Sequence, residues 1–125
     1  DGGREVTALD DSLYDGRAGV ALYLAHHARR ADVPAAEALA RRIADAIAGG
    51  AERALDADAG SHRPAPRVGA FDGAGGVAWV LLHLAALWDA PALRVRALSL
   101  LGRLAERVED DATYDVIGGA AGLLR

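Results

Sequence analysis

Leu13-Tyr14-Asp15-Gly16-Arg17-Ala18-Gly19-Val20, Ala70-Phe71-Asp72-Gly73-Ala74-Gly75-Gly76-Val77 and Asp115-Val116-Ile117-Gly118-Gly119-Ala120-Ala121-Gly122-Leu123 are three versions of one pattern, G-x-x-G followed by an aliphatic residue. The first glycines stand at 16, 73 and 119, so the spacings are 57 and 46 residues, each long enough for a pair of helices. Glycine within a helix costs about 1 kcal/mol relative to alanine. Bearing that cost three times at one position implies a geometric need: glycines three apart remove side chains from one face, where a neighbouring backbone then approaches closely. Phosphate binding at a helix N-terminus is the competing use of such glycines. It is disfavoured, because no segment has the Gly-Lys pair of a P-loop and no G-x-G-x-x-G follows a strand.

Working outward, the spacing predicts four helices, the start of a fifth and no strand. The first runs from about Gly16 to Arg30, with Val20, Tyr23, Leu24 and His27 on one face. Pro34 suits the first position of a second helix, striped by Ala36, Leu39, Ala40, Ile43 and Ile47. Gly49-Gly50 reads as its stop, with Glu52 to Leu55 open to a short continuation. The stretch ending at Val68, with Gly60, Ser61, Pro64 and Pro66, reads as a loop. A third helix from Gly73 to Asp89 has Val77, Val80, Leu81, Leu84, Leu87 and Trp88 on one side. Trp79, Leu82 and Ala86 make the other side nearly as apolar, which predicts burial all round. Asp89-Ala90-Pro91 opens a fourth helix to about Val108, with Leu93, Ala97, Leu100, Leu101, Leu104 and Val108 toward a core. Apolar glycine-led helices alternate with amphipathic ones. The expected fold class is all-α: part of an (α/α) toroid or barrel with GxxG-led inner helices and amphipathic outer helices.

Composition narrows the function classes. Hydrophobic residues make up 52% of the 125, much of it alanine, which favours close helix packing. There is no Lys, so all 14 basic residues are Arg; Asn, Gln and Cys are absent too, a bias that suits a GC-rich bacterial genome. A net charge of −4 without a basic block argues against nucleic-acid binding. Zero cysteines exclude a disulfide or a thiolate metal site within these residues. The longest apolar stretch, Gly73 to Leu87, is broken by His83 and is too short to span a bilayer, so no transmembrane segment is expected and the default location is cytoplasmic.

The three glycine motifs, together with Gly69 through Trp88 and the Tyr114-Asp115 flank of the third, resemble the LanC-like cyclases. The nearest resemblance is to the carboxyl-terminal cyclase domain of type 2 (LanM-type) lanthipeptide synthetases. It spans nearly the whole chain but only the early part of that domain, so residues 1–125 are expected to be a partial domain, with an ATP- and Mg-dependent dehydratase domain ahead of Asp1. The resemblance implies a double-layered toroid around a catalytic zinc held by two Cys and one His of later repeats, beyond Arg125. It implies a precursor peptide as partner, whose Cys thiolate adds to dehydrated Ser or Thr to close a thioether ring. A thiol on zinc is deprotonated near neutral pH, the thiolate is the nucleophile, and the addition leaves an enolate that needs a proton. Two other readings stay open: a non-catalytic peptide-binding module, and another α/α-toroid enzyme with paired carboxylates, such as a carbohydrate-active enzyme.

Asp115 is the one catalytic candidate. It matches the family's D-x-x-x-G aspartate, which assists proton transfer or orients the reacting groups. The competing role is a helix-start carboxylate serving free N–H groups ahead of Gly119. Asp15 and Asp72 read as caps. His26 and His27, about 100° apart on a helix, make a poor metal pair with each other; His62 lies in a polar loop, and His83 reads as a satisfied core histidine. No metal or cofactor ligand is assigned within the chain. Tyr14, Tyr23, Phe71, Trp79 and Trp88 read as core or layer-interface residues. A toroid cut after its third motif would leave apolar surface open and self-associate.

Overall fold

The computed structural model describes residues 3–4, 6–58 and 67–123. Among these every regular element is helical: α1 (Arg17–Ala31), α2 (Pro34–Asp58), α3 (Ala74–Leu87) and α4 (Pro91–Ala105), followed by two 3-10 turns, Val108–Asp110 and Ala120–Gly122. The all-α expectation holds. His62 and the Gly60, Ser61, Pro64 and Pro66 loop fall outside the described residues.

α1 packs along α2 and α3 along α4, with lighter contact of α3 on both α2 and α1 and of α4 on α2. This gives two layers of two helices, one arc of an (α/α) toroid. The 57-residue spacing holds through the whole first pair. Gly16 and Gly73 cap their helices with nearly the same backbone, φ −112 and −128. Asp32 and Asp89, 57 apart, end α1 and α3 in the left-handed region at φ 52 and 48, a conformation that aspartate tolerates better than most residues. Pro34 and Pro91 then open the outer helices.

Several expectations are corrected. Gly49-Gly50 does not stop α2, which continues to Asp58. A stopping glycine takes positive φ, and no glycine among the described residues does. Ile47, Ala48, Ala51 and Leu55 are buried on both sides of the pair and carry the helix through it. Gly50 instead makes room for a loop, since a Cβ there would lie 2.8 Å from Asp11 Oδ2. α1 turns its alanines inward: Ala18, Ala21, Ala25 and Ala28 are buried, while Val20 and Tyr23 of the face picked out by spacing are exposed. Small side chains let α1 lie close on α2, and that contact outweighs the larger area of the opposite face. α4 ends at Ala105, three residues early.

α3 is not buried all round. Leu81 and Leu84 are fully buried, but Trp79 is 52% exposed and Ala86 is exposed. Tyr14, Tyr23 and Phe71 are exposed as well, and only Trp88 packs against the core, with the Arg41 guanidinium 4.4 Å above its ring. His83 is half-buried on the edge of α3 rather than in the core. The outer layer is tied by Arg96, whose fork meets both oxygens of Glu52 at 2.8 and 2.9 Å and reaches Asp45 at 3.3 Å.

Candidate functional site

The three glycine motifs meet at one end of the molecule. Each inner element is entered by a loop that folds back over its own first turn. A Cβ on the second glycine of each motif would strike the carbonyl oxygen six residues earlier: Leu13 for Gly19, Ala70 for Gly76 and Val116 for Gly122. The glycines are therefore needed by a close approach, as their spacing suggested. The approaching backbone is the preceding loop of the same repeat, not a neighbouring helix.

The first helical N–H finds an acceptor in that loop. Arg17 N donates to Asp10 O and Ala74 N to Arg67 O, both at 2.8 Å. In the third loop the Asp111 side chain takes this place, accepting from Ala120 N at 2.7 Å and from Tyr114 N at 3.1 Å. Gly119 has the same extended backbone as Gly16 and Gly73, so the expected fifth helix starts in register, as a 3-10 turn. The loops are stitched in sequence: Leu13 N and Tyr14 N donate to Phe71 O at 2.9 and 3.1 Å, and Phe71 N and Asp72 N donate to Ile117 O at 3.1 and 3.3 Å. Helix starts and glycine backbones are thus brought side by side without a strand.

Carboxylates crowd this end, each with a different task. Asp15 accepts from the Ser12 hydroxyl at 2.9 Å, and Asp72 pairs with Arg67 at 2.6 Å. Neither α1 nor α3 has a side-chain cap, so the capping expected of Asp15 and Asp72 is not what they do. Asp72 Oδ1 is buried beside Gly118 without a hydrogen-bond partner among the described residues. Asp115 Oδ1 accepts from Gly118 N at 2.6 Å, closing a turn three residues long; its side chain is otherwise toward solvent. The helix-start N–H once open to Asp115 belongs to Asp111.

Asp10 and Asp111 were not singled out from the sequence. The nearby Ser12 side chain and the Ser12 N–H, which donates to Asp10 Oδ1 at 2.8 Å, hold the Asp10 carboxyl below its ordinary value. The Ala120 N–H, then those of Tyr114 and Thr113, outweigh partial desolvation and do the same for Asp111. The available signal was their distance ahead of the glycines, six residues for Asp10 and eight for Asp111. A shallow recess of about 260 Å³ opens between the first two loops and α2, bordered by Asp10, Asp11, Ser12, Arg67 and Asp72. Asp115 does not line it.

Glycine-led helix pairs stacked in two layers, with their loops joined carbonyl to amide at one end, define a helical-repeat protein of the (α/α)-toroid class. The family model described as lanthionine synthetase C-like protein matches residues 7–125, and the chain belongs to that family. No curated protein and no solved structure matches the chain. The zinc implied by the resemblance does not fit the residues present: the chain has no Cys, and among the described residues no three of His, Cys, Asp and Glu converge on one point. No helix among the described residues is long and apolar enough to cross a membrane.

Proposed function

We propose that these residues form an early arc of a peptide cyclase that closes lanthionine or methyllanthionine rings on a dehydrated precursor peptide, and that Asp115 handles a proton in that reaction. The supporting observation is the third loop. Asp115 is held on the loop end by the Gly118 N–H through one oxygen, while among the described residues no hydrogen bond is found to the other. A carboxylate fixed through one oxygen and open through the other is placed to take or return a proton. In the reaction the peptide's Cys sulfur bonds to the β-carbon of dehydroalanine or dehydrobutyrine, the double-bond electrons move toward the adjoining carbonyl, and the α-carbon then takes a proton. The proton lost by the thiol balances the one gained by carbon.

The thiolate-activating zinc of this reading takes its ligands from residues other than these, the two Cys and one His of later repeats. The LanM-type assignment, with its ATP- and Mg-dependent dehydratase partner domain, belongs to the same proposal.

Asp115→Asn keeps the acceptor for Gly118 N–H and removes the basic oxygen. In the complete cyclase domain carrying these residues, it is expected to slow ring closure about 10²- to 10⁴-fold, the usual contribution of a positioned acid or base. Thiol alkylation and mass spectrometry of a dehydrated Cys-bearing peptide follow the rate, and circular dichroism checks that helix content is kept. Ring closure at the unmodified rate would assign Asp115 to the turn alone.

A further inference from the structure

His26 on α1 and His83 on α3 lie 57 residues apart, each ten residues after the first glycine of its motif. The repeat therefore sets them at the same height on neighbouring inner helices. Their Nε2 atoms meet at 2.8 Å, with ring centroids 5.0 Å apart and planes tilted by 52°. Trp79, one turn before His83, stacks on its ring at 5.4 Å. His27 points elsewhere and stacks on Tyr23 at 5.9 Å. Two neutral imidazoles in this position share one N–H, so one nitrogen donates and the other keeps a lone pair.

We infer that His26 and His83 form a two-imidazole binding site for a divalent transition-metal ion of the copper(II) or nickel(II) class, separate from the loop end and its proposed chemistry. An ion held about 2.0–2.1 Å from each nitrogen, with the two bonds at about a right angle, sets the nitrogens about 2.9 Å apart. The observed separation is close to that and shorter than the roughly 3.4 Å that a tetrahedral angle needs at the same bond length. Right-angled positions are those of tetragonal copper(II) and nickel(II), and imidazole nitrogen is a suitable donor for both. A small turn of each ring about its soft outer torsion, with the donor ring's proton passing through solvent from Nε2 to its own Nδ1, frees both Nε2 lone pairs for the ion with no net loss of a proton. His26 is exposed and His83 half-exposed, so solvent supplies the remaining ligands. Because the donors sit on different helices, the ion would clamp α1 to α3.

The test is titration of the 125-residue chain with copper(II) and, separately, nickel(II), read by calorimetry, with thermal unfolding as the second measurement. One ion per chain is expected, together with a raised Tm. His26→Gln and His83→Gln should each weaken binding at least tenfold and remove the Tm gain, while His27→Gln leaves both unchanged. The electron paramagnetic resonance spectrum of the copper(II) form should show two imidazole nitrogens, a readout independent of how the variants fold. Absence of one-to-one binding, retention of it in His83→Gln, or equal loss in His27→Gln would overturn the site.

Discussion

The loop end and the helical body are built by different rules. At the loop end the backbone decides: carbonyl oxygens of three successive loops press on glycines where a methyl group has no space, and amides of one loop bond to the carbonyl of the next. In the body side chains decide. Leu81, Leu84, Leu100 and Leu104 are buried between the helices, Arg96 joins α2 to α4, and Trp79 stands half in solvent against the His83 ring. One kind of residue therefore means opposite things in the two regions. Gly76 is required by contact, whereas Gly102, in the last turn of the outer helix α4, has nothing within 4 Å of where its Cβ would be.

Gly76→Ala should have the largest effect on stability. The new methyl would collide with Ala70 O and come within 3.2 Å of Leu13 Cβ, so the loop must shift. Overpacking of this kind costs about 1–3 kcal/mol, and the better helix propensity of alanine returns at most about 1 kcal/mol. A net loss of about 1–2 kcal/mol is expected as a lowered urea midpoint with an unchanged slope. Stability at or above that of the unmodified chain would show that the loop does not rest on the helix start. The contrast between the two regions would then fail.

The Arg96–Glu52 pair tests the body's side-chain rule through pH. The Arg96 hydrogen bonds hold the Glu52 carboxyl below its ordinary 4.5, against some desolvation. The folded carboxyl thus binds its proton more weakly than the unfolded one. Its contribution is complete above about pH 4.5 and is lost as pH falls through the lower folded value. Both side chains are about a third exposed, at 33% and 35%, so solvent screening limits the pair to about 0.5–1 kcal/mol. Glu52→Gln should lower the Tm by a few degrees at neutral pH, and the two melting curves should converge as the solution is acidified. A gap that persists in acid would place the loss in packing rather than charge.

The same division explains what the sequence made legible. Helix order, the register of the three motifs and the inner–outer alternation follow from periodicity and spacing, which are local. The length of α2 did not, because Gly49-Gly50 stops a helix only if nothing beyond it packs, and Leu55 does. The inward face of α1 was misread because area favours Val20 and Tyr23, whereas close approach favours Ala21 and Ala25. Of the candidate site, Asp115 and the glycines were visible as motif members. Asp10 and Asp111 were not, since their partners lie two to nine residues away along an irregular chain. The meeting of His26 with His83 needed the helix pairing as well as the spacing.

Gly102→Ala is the smallest change and the closest control for Gly76. Gly102 lies inside α4 on its exposed side, its φ is not positive, and no atom waits near the position of a new Cβ. The folded state therefore neither gains nor loses a contact. The unfolded chain, however, loses the extra backbone freedom of glycine, and alanine is the better helix former. Stabilisation by about 0.5–1 kcal/mol is expected, opposite in sign to Gly76→Ala and measurable by the same urea titration. A loss of stability would mean that the outer side of α4 is covered in solution by something the methyl group displaces. In that case Val95 and Leu98, exposed on the same helix, would be the first residues to examine for that contact, by testing whether their substitution with Ser abolishes any concentration dependence of the midpoint.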